Sequence, residues 1–420
     1  MTTEHTADQP TKGVSLGQDA WRRLRRNWLA MACLGVLVGI GLLAFVTPFL
    51  PLQPPDDSRT ELQYLPPRVW PLIESTFQFD WEAVERAPAE LERVRGELAA
   101  ARRQLAEAER ALAGASTPPG DSAALLETAV ASAAEEVRKK SAEIDDIVQR
   151  PYREAGFPDL DALGRWMVRQ RYRLFGETSF ASLFGRDELG RDLLSRVFWG
   201  ARISIIVGIV ATLVSLVIGV TYGAVAGYVG GWVDDVMMRL VDVLYSIPFI
   251  FIVIYIITIL GQDQVKAWLA DWGIDRITIF YFVVGAIYWL TMSRVVRGQV
   301  ISLRNEPFVE AARALGATQS RIIVFHILPN LMSVVIVYLT LTIPRVMLFE
   351  AFLSFLGLGV EPPDVSWGLL ANEGIKVITP VKIYWWLILF PSAALGTTLF
   401  ALNFLGDGLR DALDPKMASR

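Results

Sequence analysis

The chain has 420 residues, 53% of them hydrophobic and 20% charged. A mean hydropathy of +0.37 excludes a disordered chain and argues against an ordinary water-soluble enzyme. The formal net charge of −4 leaves no basic footprint for nucleic acid. One cysteine, Cys33, permits no intramolecular disulfide, and with only His5 and His326 there is no Cys- or His-rich metal site.

About 20 mostly apolar residues cross a hydrocarbon core of roughly 30 Å. Six runs have that character: 28–50, 203–229, 240–260, 277–296, 331–355 and 383–405. The chain therefore reads as an all-α membrane protein with six transmembrane helices. The first run has spanning length and no A-x-A cleavage signal, so it reads as an uncleaved helix. Lys/Arg bias in short loops sets orientation. Arg22, Arg23, Arg25 and Arg26 precede the first run. Arg294, Arg297, Arg304, Arg313 and Arg321 lie between the fourth and fifth, and Arg410, Lys416 and Arg420 follow the sixth. Six spans place these clusters on one side, which predicts cytoplasmic termini, a cytoplasmic tail over 1–27, and an extracytoplasmic insertion over 51–180.

Within the insertion, Leu91, Val94, Leu98, Ala101, Leu105, Ala108 and Leu112 alternate steps of three and four. Leu126, Val130, Ala133, Val137, Lys140, Ile144 and Ile147 repeat the pattern after a Pro-Pro-Gly breaker. Two heptad seams joined by a short turn predict an antiparallel coiled-coil hairpin over about 90–148. It would serve as a rigid spacer or as a docking arm. Pro151 is expected to end the second helix, and a short helix over 159–175 to return the chain to the bilayer.

The remainder, 181–420, forms the membrane core. Intramembrane charge is sparse: Asp242 sits near the start of the third run, and Arg345 and Glu350 lie within the fifth, and such residues are functional candidates because charge in lipid is costly. Asp242 has Arg239 nearby as an interfacial neighbour. Arg345 and Glu350 are about 140° apart around a helix, so each should face another helix or a water-filled path. The loop over 298–330 is the most informative stretch. Pro307 suits a first helical turn, and the Ala-rich stretch after it is strongly helical. Gly316 suits a left-handed C-terminal cap, Thr318 can cap a second helix, and Pro329 should stop it. Ala311 and Ala312 offer a small-residue surface to another protein. His326 reads as a structural hydrogen-bonding residue within the loop. No G-x-x-x-x-G-K-[ST] occurs, so this chain should not hydrolyse ATP by itself.

The pattern Glu310-Ala-Ala-x-x-x-Gly316, followed by Ile-x-x-x-His326-x-Leu-Pro329, resembles the EAA motif of ABC importer permeases. Phe184-Gly-Arg-Asp-Glu-Leu-Gly-Arg-Asp, Asp242-Val-Leu-Tyr-Ser-Ile-Pro248, Phe355-Leu-Gly-Leu-Gly-Val-Glu-Pro-Pro363, Ser366-Trp-Gly368 and the tail from Asn403 to Pro415 resemble the C-type subunit of dipeptide/oligopeptide/nickel importers. The resemblance covers the first span and everything from about 184 onward; residues 51–180 are far longer than the family carries there. It implies a permease that lines the translocation path with a homologous permease. Two ATP-binding cassette ATPases would hold ATP and Mg, and this chain no cofactor. An extracytoplasmic substrate-binding protein would deliver cargo to the complex in the inner membrane. It further implies that Glu310, Ala311, Ala312, Gly316, His326 and Pro329 form the ATPase-coupling loop. Peptides are the expected cargo, with nickel, opines or sugars as alternatives within the family. A membrane scaffold acting through its coiled-coil arm is the rival reading. An ion-coupled carrier is disfavoured by the sparse intramembrane acids.

Overall fold

The computed structural model describes residues 16–413, apart from 71–72, 76–77, 115–119, 181, 261, 263–264, 266–268 and 270–275. His5, Lys416, Arg420 and the expected proline-rich turn at 115–119 lie outside the described residues.

Helix α1 (Leu16–Arg26) buries Ala20 and Leu24 against Ala30 and Ala412. The segment read as a tail is thus partly a helix, docked on the far end of the chain. Asn27 caps α2 (Trp28–Val46), its side-chain oxygen accepting from the Ala30 amide at 3.1 Å.

The insertion contains two long helices, α3 (Trp81–Gly114) and α4 (Gly120–Glu154), packed on each other. Val94, Ala101 and Ile147 of the expected seams are buried. Lys140, the polar member, donates to Glu97 of the opposite helix at 2.6 Å and to Glu143 at 3.0 Å. That bond raises the lysine above its usual range and lowers Glu97 below its own. Pro151 does not end α4, which runs on to Glu154. The last turn is held from outside: Tyr152 is buried against Phe79, and Arg153 pairs with Asp146 at 3.3 Å and with Asp159. These contacts offset the backbone bond that proline removes. The Glu97–Lys140 pair sets the register and puts Ala101 level with Val137. Ala101→Cys with Val137→Cys is expected to crosslink on oxidation. Ala101→Cys with Ile144→Cys, offset by roughly 10 Å along the helix, should not. The reverse result, read by gel shift, would reject this register.

Helix α5 (Ala162–Phe175) starts three residues later than expected, at the Asp161 cap, whose carboxylate accepts from the Gly164 amide at 2.8 Å. Its Arg171 is fully buried and donates to the carbonyls of Gly176 (3.0 Å) and Thr178 (2.8 Å); burial pushes this guanidinium down to about 10. Two short strands unforeseen in the sequence, β1 (Ile73–Ser75) and β2 (Thr178–Phe180), pair antiparallel, Ile73 opposite Phe180. Phe79, Tyr152, Phe157, Leu160 and Val168 then pack on Trp199, which anchors the base of the hairpin to the next spanning helix.

That helix is α6 (Leu193–Val229). Gly219, Gly223 and Gly227 recur every four residues and face α9 (Arg276–Leu303). A Cβ on Gly223 would collide with the Ser293 carbonyl, so only glycine permits this backbone approach. Between them come α7 (Gly231–Ser246) and α8 (Phe249–Leu260), bent by 85° at the break. The run expected to span over 240–260 is thus a broken helix pair, which counts as one span if the two halves are taken together. Pro248 has no amide hydrogen and pushes Ile247 to extended geometry (φ −88°, ψ 126°), so the helix cannot continue.

Helix α10 (Pro307–Ala314) is followed by α11 (Gln319–Ile322), a π-helical turn (Ile323–Ile327) and α12 (Leu328–Phe355). Residues from Gln319 to Phe355 form one span-length rod. Pro329 does not stop it, because proline sits in the first turn of α12, directly after the widened π turn. The short α13 (Trp367–Lys376) is built into the core: Trp367 Nε1 donates to the Val197 carbonyl at 2.9 Å. Last comes α14 (Trp385–Leu413). Five helices in all, or six spans with α7–α8 taken as one, have spanning length and apolarity among the described residues. The protein is thus an all-α membrane protein apart from the small β1–β2 ladder. The hairpin stands at the start of α6 and the 304–320 loop at its end, where Arg304 donates to the Gly227 carbonyl at 3.1 Å.

Candidate functional site

The loop owes its shape to a buried apolar wedge. Val309 and Ala312, three residues apart on α10, pack with Ala224, Met292, Val296, Ile322, Ile327 and Leu331. The short helix is thereby fixed to α6, α9 and α12. Ala312 points inward, so of the two alanines expected on the surface only Ala311 is exposed. The end of α10 closes through three backbone bonds: Leu315 to Ala311 and Gly316 to Arg313, both 3.0 Å, and Ala317 to Ala312 at 3.1 Å. Gly316 has φ +82°, and a Cβ there would meet nothing within 4 Å. Its glycine is demanded by backbone conformation, not by space. Leu315 is thrown into the open at 88% exposure, flanked by exposed Glu310, Ala311 and Arg313. Thr318 occupies the cap position of α11 without a side-chain cap bond. His326 is half-buried, and it is its carbonyl that accepts from Asn330 Nδ2 at 2.7 Å. Pro329 is exposed on the rod.

The three intramembrane charges do not converge. Asp242 pairs at 2.6 Å with Arg294 of α9, not with Arg239. The Arg294 guanidinium also lies 4.2 Å over the Tyr245 ring, and Tyr245 shares a hydrogen bond with Thr291. This cluster is open on its outer side. Arg345 is exposed further along the bundle, its carbonyl accepting from Tyr288 at 3.2 Å. Glu350 points the other way, fully buried, and accepts from Ser354 at 2.8 Å. Sequence reasoning missed Asp234, buried beside a bidentate Arg297.

The family described as binding-protein-dependent transport system inner membrane component matches residues 219–419. The N-terminal TM domain of oligopeptide transport permease C matches residues 15–67. The oligopeptide transport system permease protein OppC of Escherichia coli (strain K12) is 50% identical over 233 residues, covering 56% of this chain and 72% of that protein. The dipeptide permease DppC of Bacillus subtilis (strain 168) is 45% identical over 234 residues, 56% and 68% of the two chains. The glutathione permease GsiD of Salmonella paratyphi A (strain ATCC 9150 / SARB42) is 40% identical over 270 residues, 64% and 79%. This chain belongs to the C-type permeases of ABC importers. It is an inner-membrane transport subunit, and residues 68–218, with the hairpin, fall between the two family matches.

In this permease the Gly-Arg-Asp stretch has a structural role that its motif did not reveal. Asp187 Oδ1 accepts from the Leu189 and Arg191 amides, both 2.9 Å, while Oδ2 takes Arg191 (2.7 Å) and Arg196 (2.6 Å). Arg196 reaches on to Glu373 of α13, and Arg191 to Asp56 at 3.1 Å. The net effect of these carboxylates is to hold Arg191 above its ordinary value in spite of the burial that opposes it. Asp192 then caps α6, accepting from the Ser195 amide at 2.8 Å. The network clamps the insertion, α6 and α13 together at the hairpin end.

Proposed function

We propose that this permease carries peptides across the inner membrane as half of a heterodimer with a homologous permease, powered by two ATPases that bind ATP and Mg. In this reading the 304–320 loop and both termini face the cytoplasm, the insertion faces outward, and a substrate-binding protein delivers cargo there. The observation that carries it is the elbow at Leu315–Gly316, an exposed apolar knob on a short helix wedged at the foot of a rod running from Gln319 to Phe355. A push on Leu315 passes through the Val309–Ala312 wedge to the spanning helices packed on it, as an ATPase-driven device needs. Glu310, Ala311 and Gly316 form the docking surface; Ala312, His326 and Pro329 support it. The relatives named for oligopeptides and dipeptides support peptides as cargo.

Affinity purification of the tagged chain is the test. A second permease and two ATPases should come with it, and the complex in proteoliposomes should import labelled peptide on ATP addition. Purification without ATPases, or uptake driven by an ion gradient alone, would overturn the reading.

The hairpin is read as a two-helix coiled-coil arm on the outer side. Mixed charge on its faces suits encounter with the binding protein, since such rims tune rate and register. Replacing 90–148 with a Gly/Ser linker is expected to raise the apparent KM for loaded binding protein and to remove its salt dependence. Unchanged affinity with full transport would reject docking, and loss of the partner permease would make the arm an assembly element.

A further inference from the structure

Arg294 and Arg297, the cations nearest the loop end of α9, both have carboxylates. Arg345 does not: among the described residues no acidic group lies within ion-pair distance of its guanidinium. It sits well inside α12, on the exposed side of a spanning helix, with its backbone held by Tyr288. Glu350, the nearest acid along the helix, is buried on another face and bonded to Ser354. Arg345 borders an open concavity of about 760 Å³ whose other walls include Tyr288, Leu348, Phe349, Phe352 and Phe355.

A lone guanidinium within a span needs a counter-charge or water, because lipid supplies neither. The concavity is otherwise apolar and aromatic. One fixed cation in a greasy, roomy wall suits a ligand whose body varies and whose single anion does not. Side chains of any size can lie on the aromatic rings, while the guanidinium fork takes a carboxylate in two parallel hydrogen bonds. We propose that Arg345 binds the C-terminal carboxylate of the peptide in transit, making a free C-terminus a requirement of the permease itself. This rests on the peptide-import reading above.

The test uses the whole transporter in proteoliposomes, with saturating binding protein loaded with either trialanine or trialanine amide. Wild type should import the acid roughly tenfold faster than the amide, about the loss expected for one charge-assisted contact. Arg345→Gln should bring the two rates together by slowing the acid, and Arg345→Lys should keep part of the preference. The ratio between variants cancels any selection by the binding protein. An acid-to-amide ratio identical in wild type and Arg345→Gln would overturn the proposal. So would release of the second permease by Arg345→Gln but not by Arg345→Lys, which would make an acid of that subunit the counter-ion. If wild type imports neither peptide, the cargo reading itself fails and the proposal with it.

Discussion

Arg196→Ala is expected to destabilise this permease by about 3–5 kcal/mol. Arg196 is 1% exposed and bridges Asp187, 5% exposed, to Glu373, 19% exposed. Removing the cation leaves two carboxylates with one guanidinium, Arg191, which already serves Asp56 as well. The cost arises from stranding those charges, not from the net worth of the pair, which desolvation largely offsets. Loss should appear as a lower melting temperature of the purified chain in detergent. Exposed pairs give the contrast: Lys139→Ala breaks a 3.1 Å bridge to Glu135 on the outer face of α4 and should cost about 0.5 kcal/mol or less. Equal melting temperatures for Arg196→Ala and wild type would show that the clamp carries no stability.

The spans were legible because a bilayer demands contiguous apolar residues, a local property that composition records. The two long helices of the insertion were legible for a similar reason, since the helix period is written within each of them. Direction is not so written. The run over 240–260 has the hydropathy of a span, yet Pro248 turns it by 85°, and only the packing of α8 on α9 and α12 shows where it goes. Phase was lost at Ala311 and Ala312, because two adjacent alanines look alike until Val309 and the helix period assign the inward face. Asp234 and Arg297 are separated by 63 residues, so neither points to the other along the chain. Gly219, Gly223 and Gly227 show their four-residue spacing in the sequence, but that spacing does not by itself name α9 as the helix they meet. The Gly-Arg-Asp stretch was recognised as a signature, but its work depends on Glu373 of α13, a short helix whose burial has no hydropathy mark.

Gly316→Pro is expected to abolish coupled transport while leaving the spans folded. Proline fixes φ near −65°, whereas position 316 needs +82°, and it removes the amide that donates to Arg313 at 3.0 Å. The turn must refold, and Leu315 is re-aimed. No neighbour lies within 4 Å of a Cβ here, so the disturbance does not spread by clash into the Val309–Ala312 wedge. Leu315→Glu tests the surface without the turn. At 88% exposure the leucine contributes little to folding, so stability should stay within about 0.5 kcal/mol. If Leu315 docks on an ATPase as proposed, a carboxylate buried in its place is costly, and substrate-stimulated ATP hydrolysis should fall at least roughly tenfold. Glu310→Arg, on the same exposed face, should act in the same direction through charge. Val309→Ala makes the opposite comparison: it opens the wedge and should lower melting temperature and coupling together. Normal stimulated ATPase activity in both Leu315→Glu and Gly316→Pro would count against the elbow as the contact. A fall in activity without a fall in melting temperature would support the proposed contact, because neither position packs against the membrane core.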